Sequence, residues 1–121
     1  MSIEDDIEFF ERVPTLALLG REALRILAIG AESHYLNDGQ VLCHQGDAVD
    51  AGYVVMEGSF RLTRAGESDA TMRTAAAGAV IAESALLVEC ESAFTATARE
   101  PATVVRIPRT LFVRKIGRAH V

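Results

Sequence analysis

Two runs of strand-forming residues meet at one glycine in the stretch Tyr53-Val54-Val55-Met56-Glu57-Gly58-Ser59-Phe60-Arg61-Leu62-Thr63. Aromatic and β-branched residues favour strands, whereas Glu57-Gly58 is typical of a tight reversal of the chain. The stretch therefore predicts two strands that form a hairpin. A second turn signal, Asn37-Asp38-Gly39, predicts another hairpin upstream.

The β pattern begins near Ser33 and covers most of the remaining chain. Short runs rich in Val, Thr, Tyr and Phe alternate with glycines, which we interpret as turn positions. These glycines are Gly39, Gly46, Gly52, Gly58, Gly66 and Gly78. Further strands are predicted at 71–75, 94–98 and 103–107, the last of them just after Pro101.

Helical spacing is found at both ends of the chain. The apolar residues of 3–12 recur at the spacing of an amphipathic helix, which Pro14 ends. The same spacing predicts a second helix over 21–29, with Gly30 as its C-terminal cap, and residues 111–115 open a third. Helices that flank a series of short strands predict a mainly β fold, an antiparallel barrel or jelly roll.

Composition and charge restrict the possible classes of protein. With 121 residues, 50% of them apolar and 24% charged, the chain fits one globular domain. Its net charge of −5 has the wrong sign for binding nucleic acid through this segment. No apolar run approaches the roughly 20 residues that cross a bilayer, so we expect no membrane contact. The acidic N-terminus does not look like a secretory signal, and we expect a cytoplasmic protein.

The order of several motifs resembles one known family. Gly39-x-x-Leu42-x-x-x-Gly46-Asp47 is followed by Tyr53-Val54-Val55 and Glu57-Gly58, and then by Gly78-Ala79-Val80-Ile81-Ala82-Glu83-Ser84-Ala85-Leu86-Leu87. Together these motifs resemble the cyclic nucleotide-binding domain family, which includes catabolite-activator-like regulators and the regulatory subunits of cyclic nucleotide-dependent kinases. The resemblance implies an antiparallel eight-stranded β-roll with helices at each end, and a regulatory role without catalysis.

The resemblance covers nearly the whole chain and sets its expected organisation. One domain over 1–115 would contain helices within 3–30, a β-roll over 33–107 and the start of a C-terminal helix at 108–115. The last residues, Ile116-Gly117-Arg118-Ala119-His120-Val121, match one reading frame of a sequencing adapter. We therefore expect 116–121 to be a non-native tail.

The resemblance also implies a ligand site. Family members carry a phosphate-binding cassette, Gly-x-x-Phe-Gly-Glu-x-Ala-Leu-Leu, followed by Arg-x-Ala. Its short helix directs N–H groups at the phosphate, its Glu accepts a hydrogen bond from the ribose hydroxyl, and its Arg pairs with the phosphate. Cyclic AMP or cyclic GMP would be the ligand, and no other cofactor or metal is expected. The implied ligand-binding residues are Ile81, Ala82, Glu83, Ser84, Ala85, Ser92 and Ala93.

The cassette departs from the family pattern at two positions. Ala82 stands where the family has Gly, and Ser92 stands where it has Arg. A neutral hydrogen bond contributes about 0.5–1.5 kcal/mol against about 1.5–3 for one to a charged group, so phosphate binding would weaken roughly ten- to a hundredfold. Arg73 or Arg99 would have to supply a cation from a neighbouring strand, although arginines on strands more often lie on a solvated face.

Catalytic and metal-binding functions have weaker support in the sequence. His34 and His44 are isolated, and His120 lies in the expected tail, so no cupin-type metal site is predicted. Cys43 and Cys90 form neither a disulfide framework nor a C-x-x-C pair, and we expect both to be small apolar residues. The sequence contains no nucleophile elbow and no glycine-rich phosphate loop, so we expect no enzyme.

Two functional classes stay open. The first is a regulatory module that senses a small molecule, which Glu83 favours. The second is a ligand-free β-roll that acts in protein interaction, which Ala82 and Ser92 favour. The sensor half of a longer transcription regulator also fits, because a helix-turn-helix would follow the roll in such a protein. The protein partner or downstream effector is not defined by the sequence.

Overall fold

The computed structural model describes residues 2–68 and 71–116. Three helices flank the strands: α1 (Ile3–Glu11), α2 (Arg21–Gly30) and α3 (Arg109–Ile116). α1 begins at a capping box, in which the side chains of Ser2 and Asp5 each accept a hydrogen bond from the other residue's backbone N–H. Apart from Ile116, the expected non-native tail lies outside the described residues.

The described strands form two four-stranded sheets and one two-stranded sheet, all with antiparallel pairing. The strands are β1 (Glu32–Leu36), β2 (Val41–Cys43), β3 (Ala48–Val49), β4 (Ala51–Glu57), β5 (Ser59–Thr63), β6 (Arg73–Ala76), β7 (Val80–Ile81), β8 (Cys90–Glu91), β9 (Thr95–Ala98) and β10 (Ala102–Pro108). The first sheet has the order β1-β10-β4-β7, the second has the order β2-β9-β5-β6, and β3 pairs with β8. This architecture confirms a mainly β antiparallel roll with flanking helices, although the described residues form ten strands where eight were expected.

The core has two parts, one on each face of the first sheet. Val55 of β4 belongs to a cluster between the two large sheets that also contains Phe60, whereas its neighbour Val54 belongs to a cluster beneath the helices that contains Phe10. Successive side chains of a strand point to opposite faces, so β4 is buried on both sides. This double burial explains why β4 reads as a nearly continuous apolar run.

Both predicted hairpins are wrong, although both predicted turns exist. β4 lies in the first sheet and β5 in the second, so the turn at Gly58 carries the chain across a corner of the roll. Gly58 has a φ of +80°, and a Cβ there would lie 2.6 Å from the carbonyl oxygen of Pro101, at the corner between β9 and β10. Asn37-Asp38-Gly39 likewise joins β1 of the first sheet to β2 of the second.

Two further glycines have roles other than the predicted ones. Gly52 lies inside β4, and a Cβ there would lie 2.8 Å from the buried side chain of Leu86. Gly30 is the last residue of α2, whereas Ala31 is the C-cap, and a Cβ on Gly30 would lie 2.8 Å from Leu111 of α3. Both positions permit close packing, so Gly52 is not a turn and Gly30 is not a helix cap.

Candidate functional site

A cavity of about 350 Å³ lies where β7, the 3₁₀ helix Glu83–Leu86, β8 and residues 92–94, which precede β9, meet. Small-molecule sites usually have volumes of roughly 300–1,000 Å³, so this one has room for a compact ligand. Most of its wall is apolar. The lining consists of Val49, Leu62, Val80, Ile81, Ala82, Glu83, Ser84, Cys90, Glu91, Ser92, Ala93 and Phe94.

The fold brings most of the predicted ligand-binding residues together at this cavity. Six of the seven line it, namely Ile81, Ala82, Glu83, Ser84, Ser92 and Ala93. The seventh, Ala85, is fully buried and is not part of the lining. Sequence reasoning missed Leu62, although it lies two residues after the buried Phe60 and therefore on the same face of β5.

Ala82 makes the turn that positions the 3₁₀ helix. Its backbone is left-handed, with φ 60° and ψ 42°, and it is the one non-glycine residue with positive φ in the part of the chain that the structure describes. A left-handed conformation costs a residue with a Cβ of the order of 1–3 kcal/mol. The glycine of the family pattern would adopt this turn without that strain, so Ala82 keeps the turn at a cost in stability.

Glu83 lines the cavity, is exposed to solvent, and is already hydrogen-bonded to another segment of the chain. Its carboxylate accepts a hydrogen bond from the Thr15 hydroxyl, in the turns that follow α1. Glu83 also borders a second, more open cavity together with Thr15, Leu86 and Phe112. The acceptor expected for a ribose hydroxyl is therefore shared between the ligand cavity and the N-terminal segment.

Ser92 uses its hydroxyl inside the protein. The Oγ donates to the Phe94 carbonyl at 2.6 Å, accepts from the Phe94 N–H at 3.4 Å, and lies 3.5 Å from the Sγ of Cys43. The residue is only 8% exposed. Because a hydroxyl has one proton to donate, this geometry leaves none for a ligand.

The charged groups of the cavity are negative. Glu83 and Glu91 contribute carboxylates, and within the described residues the lining contains no Arg or Lys. Arg64 and Arg73 instead lie over the ring of Phe94, with guanidinium carbons 4.6 and 5.5 Å from its centroid.

Arg99, the other arginine considered as a substitute cation, also lies outside this lining. Its Nη1 is 3.4 Å from the Thr74 hydroxyl, and its side chain is exposed. Neither Arg73 nor Arg99 therefore occupies the position left by the missing arginine of the cassette.

Arg109, at the start of α3, connects that helix to the cassette. Its Nη1 donates to the carbonyl oxygens of Val88 at 3.0 Å, Val49 at 3.3 Å and Ala85 at 3.4 Å. Because Nη1 carries two protons, the three carbonyl oxygens, which come from separate segments, share its donors. No spacing rule marks this residue in the sequence, because its acceptors are distant backbone atoms.

The other residues singled out from the sequence form no second centre. His34 and His44 are exposed beside Glu32 and Asp47, and the described residues contain no group of three or more His, Cys, Asp or Glu side chains arranged to hold a metal. Cys43 is buried and Cys90 is half-buried in the cavity wall. No described helix is long and apolar enough to span a membrane.

Sequence relatives carry the same domain within longer chains. The cyclic nucleotide-binding domain matches residues 33–118. The cAMP-dependent protein kinase regulatory subunit of Yarrowia lipolytica is 31% identical over 109 residues, which make up 90% of this chain and 29% of that protein. The cGMP-dependent protein kinase, isozyme 1, of Drosophila melanogaster is 28% identical over 95% of this chain and 16% of its own length. The chain thus spans less than a third of either relative.

Solved structures share the architecture. A cyclic nucleotide-binding-like protein from Brucella abortus is 31% identical, superposes with a TM-score of 0.79, and is matched over 93% of this chain and 98% of its own. The regulatory domain of Toxoplasma gondii PKA, solved with cAMP, is 24% identical with a TM-score of 0.83, over 95% of this chain and 45% of its own. From the family match and the Brucella relative it follows that this chain belongs to the cyclic nucleotide-binding domain family.

Proposed function

We propose that the domain is a non-catalytic regulatory module that senses a small ligand of the nucleotide class and binds cyclic AMP or cyclic GMP weakly. The observation that carries the proposal is the cavity of about 350 Å³ that six of the seven cassette positions line, Glu83 among them. The Yarrowia relative is named as a kinase regulatory subunit, which agrees with a role in regulation. A cytoplasmic location is part of the proposal.

Weak binding of the cyclic nucleotides follows from the charge and the hydrogen bonds of the residues that line the cavity. Ser92 donates its proton to Phe94, and the carboxylates of Glu83 and Glu91 are the charged groups of the lining. Backbone N–H groups and the Glu83 acceptor would then provide the remaining polar interactions. We expect dissociation constants roughly ten to a hundred times higher than those of a domain with arginine in the place of Ser92.

The signal would leave the site through α3. Arg109 holds the carbonyl oxygens of Ala85 and Val88, which belong to or directly follow the 3₁₀ helix that borders the cavity. A ligand that moves this short helix would therefore also pull on the first turn of α3.

Mapping by nuclear magnetic resonance tests the proposal. Isotope-labelled protein is titrated with millimolar cyclic AMP, and we expect amide shifts concentrated at residues 82–85 and 91–93. Glu83→Gln should weaken the response, whereas Glu89→Gln, which changes the same charge outside the cavity lining, should not. Shifts confined to the groove beside α3, or none with any nucleotide, would contradict a ligand site in this cavity.

A ligand-free interaction module is the second candidate, and one surface favours it. Leu87 is 66% exposed, Val113 is 44% exposed, and both border a shallow groove next to Arg109 and Arg114. Exposed apolar side chains grouped in this way are typical of contact surfaces. Absence of nucleotide-induced shifts in the experiment above would favour this alternative.

A further inference from the structure

We infer that the cavity selects an uncharged nucleoside over the corresponding 3′,5′-cyclic phosphate. The inference rests on the proposed function, since it takes the same cavity as the ligand site, and it names the class of ligand that the cavity prefers. It follows from the charge, the hydrogen-bonding capacity and the apolar wall of the lining.

The charge of the lining opposes a phosphate. Glu83 and Glu91 are carboxylates, and in the described part of the chain no Arg or Lys side chain joins them in the wall. A phosphodiester would bring a third negative charge into a partly enclosed space, where like charges repel more strongly than in open water. A nucleoside carries no charge and avoids this repulsion.

The hydrogen-bonding capacity of the lining favours a ligand rich in hydroxyl groups. An ionised carboxylate only accepts hydrogen bonds, and the Ser92 proton is already donated to Phe94. A nucleoside offers its 2′, 3′ and 5′ hydroxyl protons, whereas the cyclic phosphate ester retains only the 2′ hydroxyl. Hydrogen bonds from hydroxyl groups to carboxylates are charge-assisted and therefore strong. Glu83 and Glu91 thus match the nucleoside better than its cyclic phosphate.

The remaining wall suits a flat base. Val49, Leu62, Val80 and Ile81 supply apolar side chains, and Phe94 supplies an aromatic one. Such a wall favours contact with a heterocyclic base over contact with water. A nucleoside should therefore bind more tightly than a free sugar, which has no base.

The arginines nearest to this wall do not reverse the preference. Arg64 and Arg73 lie over the Phe94 ring, and Arg64 also pairs with Glu67 at 3.5 Å. Neither is part of the lining of the cavity. Their guanidinium groups therefore lie against the ring of Phe94.

Calorimetric titration of the full chain with four ligands tests the inference: adenosine, guanosine and their 3′,5′-cyclic phosphates. The better nucleoside should bind about tenfold or more tightly than its own cyclic phosphate, because the phosphate adds repulsion and gains no charged partner. Equal affinities, or tighter binding of the cyclic phosphate, would overturn the inference while leaving the proposed function intact. No binding of any of the four would overturn both.

The salt dependence of cyclic phosphate binding distinguishes repulsion by carboxylates from attraction by a cation, because the two effects change the affinity in opposite directions. Between ionic strengths of about 0.01 and 1 M the screening length falls from about 30 to 3 Å. If carboxylates repel the phosphate, the affinity for the cyclic phosphate should rise with salt while that for the nucleoside stays constant. A cyclic phosphate affinity that falls with salt would show attraction by a cation and would contradict the inference.

Charge variants assign the effect to the lining. Glu91→Gln should tighten binding of the cyclic phosphate by about threefold or more, since one repulsive charge is removed, with little change for the nucleoside. Glu89→Gln is the matched control, because Glu89 is exposed two residues away and does not line the cavity. Equal effects of the two variants would show that the net charge of the protein, and not a carboxylate in the lining, weakens binding of the cyclic phosphate, which would contradict the inference. Ribose is titrated as a further ligand. If ribose binds as tightly as a nucleoside, the apolar wall does not contribute to binding by contacting the base.

Discussion

Ser92, in the wall of the cavity, differs from the arginine of the family pattern in both charge and hydrogen-bonding capacity. The arginine of the family pattern would bring a charge and several donors to the phosphate. The serine hydroxyl donates to the Phe94 carbonyl and lies beside Cys43, so it stabilises a local turn. The sequence predicted the loss of charge at this position. It did not predict the loss of the donor, because a serine's hydrogen-bond partner depends on the backbone geometry of the folded chain.

Ala82 gives a prediction about stability. Because its φ is 60°, Ala82→Gly should relieve strain and raise the free energy of unfolding by about 1 kcal/mol. Urea denaturation measures this difference. Ala85→Gly is the control, since Ala85 is fully buried in the 3₁₀ helix and should lose stability on the same change. A destabilised Ala82→Gly variant would show that the Ala82 methyl group makes contacts that outweigh its backbone strain.

The cassette resemblance identified six residues that line the cavity, and it also indicated the missing cation at Ser92. The spacing around Glu83 identified the segment that borders the cavity, since sequence neighbours stay together in a short helix. Val49 and Leu62 were not assigned, because they enter the wall through the pairing of β3 with β8 and of β5 with β9. Such long-range pairing has no local signal in the sequence.

At the scale of elements, the turn at Gly58 also shows that local sequence does not predict which strands pair. Local chemistry predicted the reversal, which the structure contains, but it also suggested that the flanking strands pair. β4 pairs with β10 and β7, whereas β5 pairs with β6 and β9. Whether the two strands form a hairpin or a corner depends on which distant strands are available to pair with each of them. Here Gly58, at the corner between β4 and β5, packs closely against Pro101, at the corner between β9 and β10.

The close contact of Gly58 with Pro101 predicts that adding one methyl group at Gly58 strongly lowers the stability of the fold. Gly58→Ala should lower the free energy of unfolding by about 3 kcal/mol, because it combines an unfavourable positive φ with overlap against the Pro101 backbone. Gly66→Ala should cost only about 1 kcal/mol, since Gly66 has a similar φ of +86° but no atom within 4 Å of the added Cβ. Chemical denaturation of the two variants compares them, and equal losses would refute packing at the corner as the cause.

Arg109 carries the connection between two elements. Arg109→Ala removes hydrogen bonds to three carbonyl oxygens and should destabilise the fold by about 1–3 kcal/mol. It should also speed amide hydrogen exchange within residues 83–88, because the 3₁₀ helix loses its tie to α3. Arg114→Ala, on the exposed surface of the same helix, is the control. Unchanged exchange in Arg109→Ala would argue against coupling between the cassette and α3.

At the scale of the whole molecule, the sequence was sufficient for the fold class. Helical spacing at both ends and short runs separated by glycines predicted an antiparallel barrel or jelly roll with flanking helices, because each pattern reports on local conformation and burial, and the family resemblance implied the β-roll. The order of strands in the sheets was not accessible in the same way. β4 and β10 are buried on both faces, so their apolar residues do not alternate and give no information about which neighbour each face contacts.

The whole molecule has the fold of its family, while the charged side chains in the described lining of the cavity are the carboxylates of Glu83 and Glu91. A net charge of −5 adds a weak long-range repulsion of anions to the local effect of the two carboxylates. Under the proposed function, the cavity is a ligand site whose affinity for cyclic nucleotides is limited by one missing cation.

Calorimetric titration with cyclic AMP of the unmodified chain, Ser92→Arg and Ser92→Gln tests this claim most directly. The glutamine variant is a control for losing the serine turn and adding a long side chain without charge. We predict weak binding by the unmodified chain, binding tighter by roughly ten- to a hundredfold in Ser92→Arg, and no gain in Ser92→Gln. Equal affinities of the unmodified chain and Ser92→Arg would contradict the claim that the missing cation limits binding.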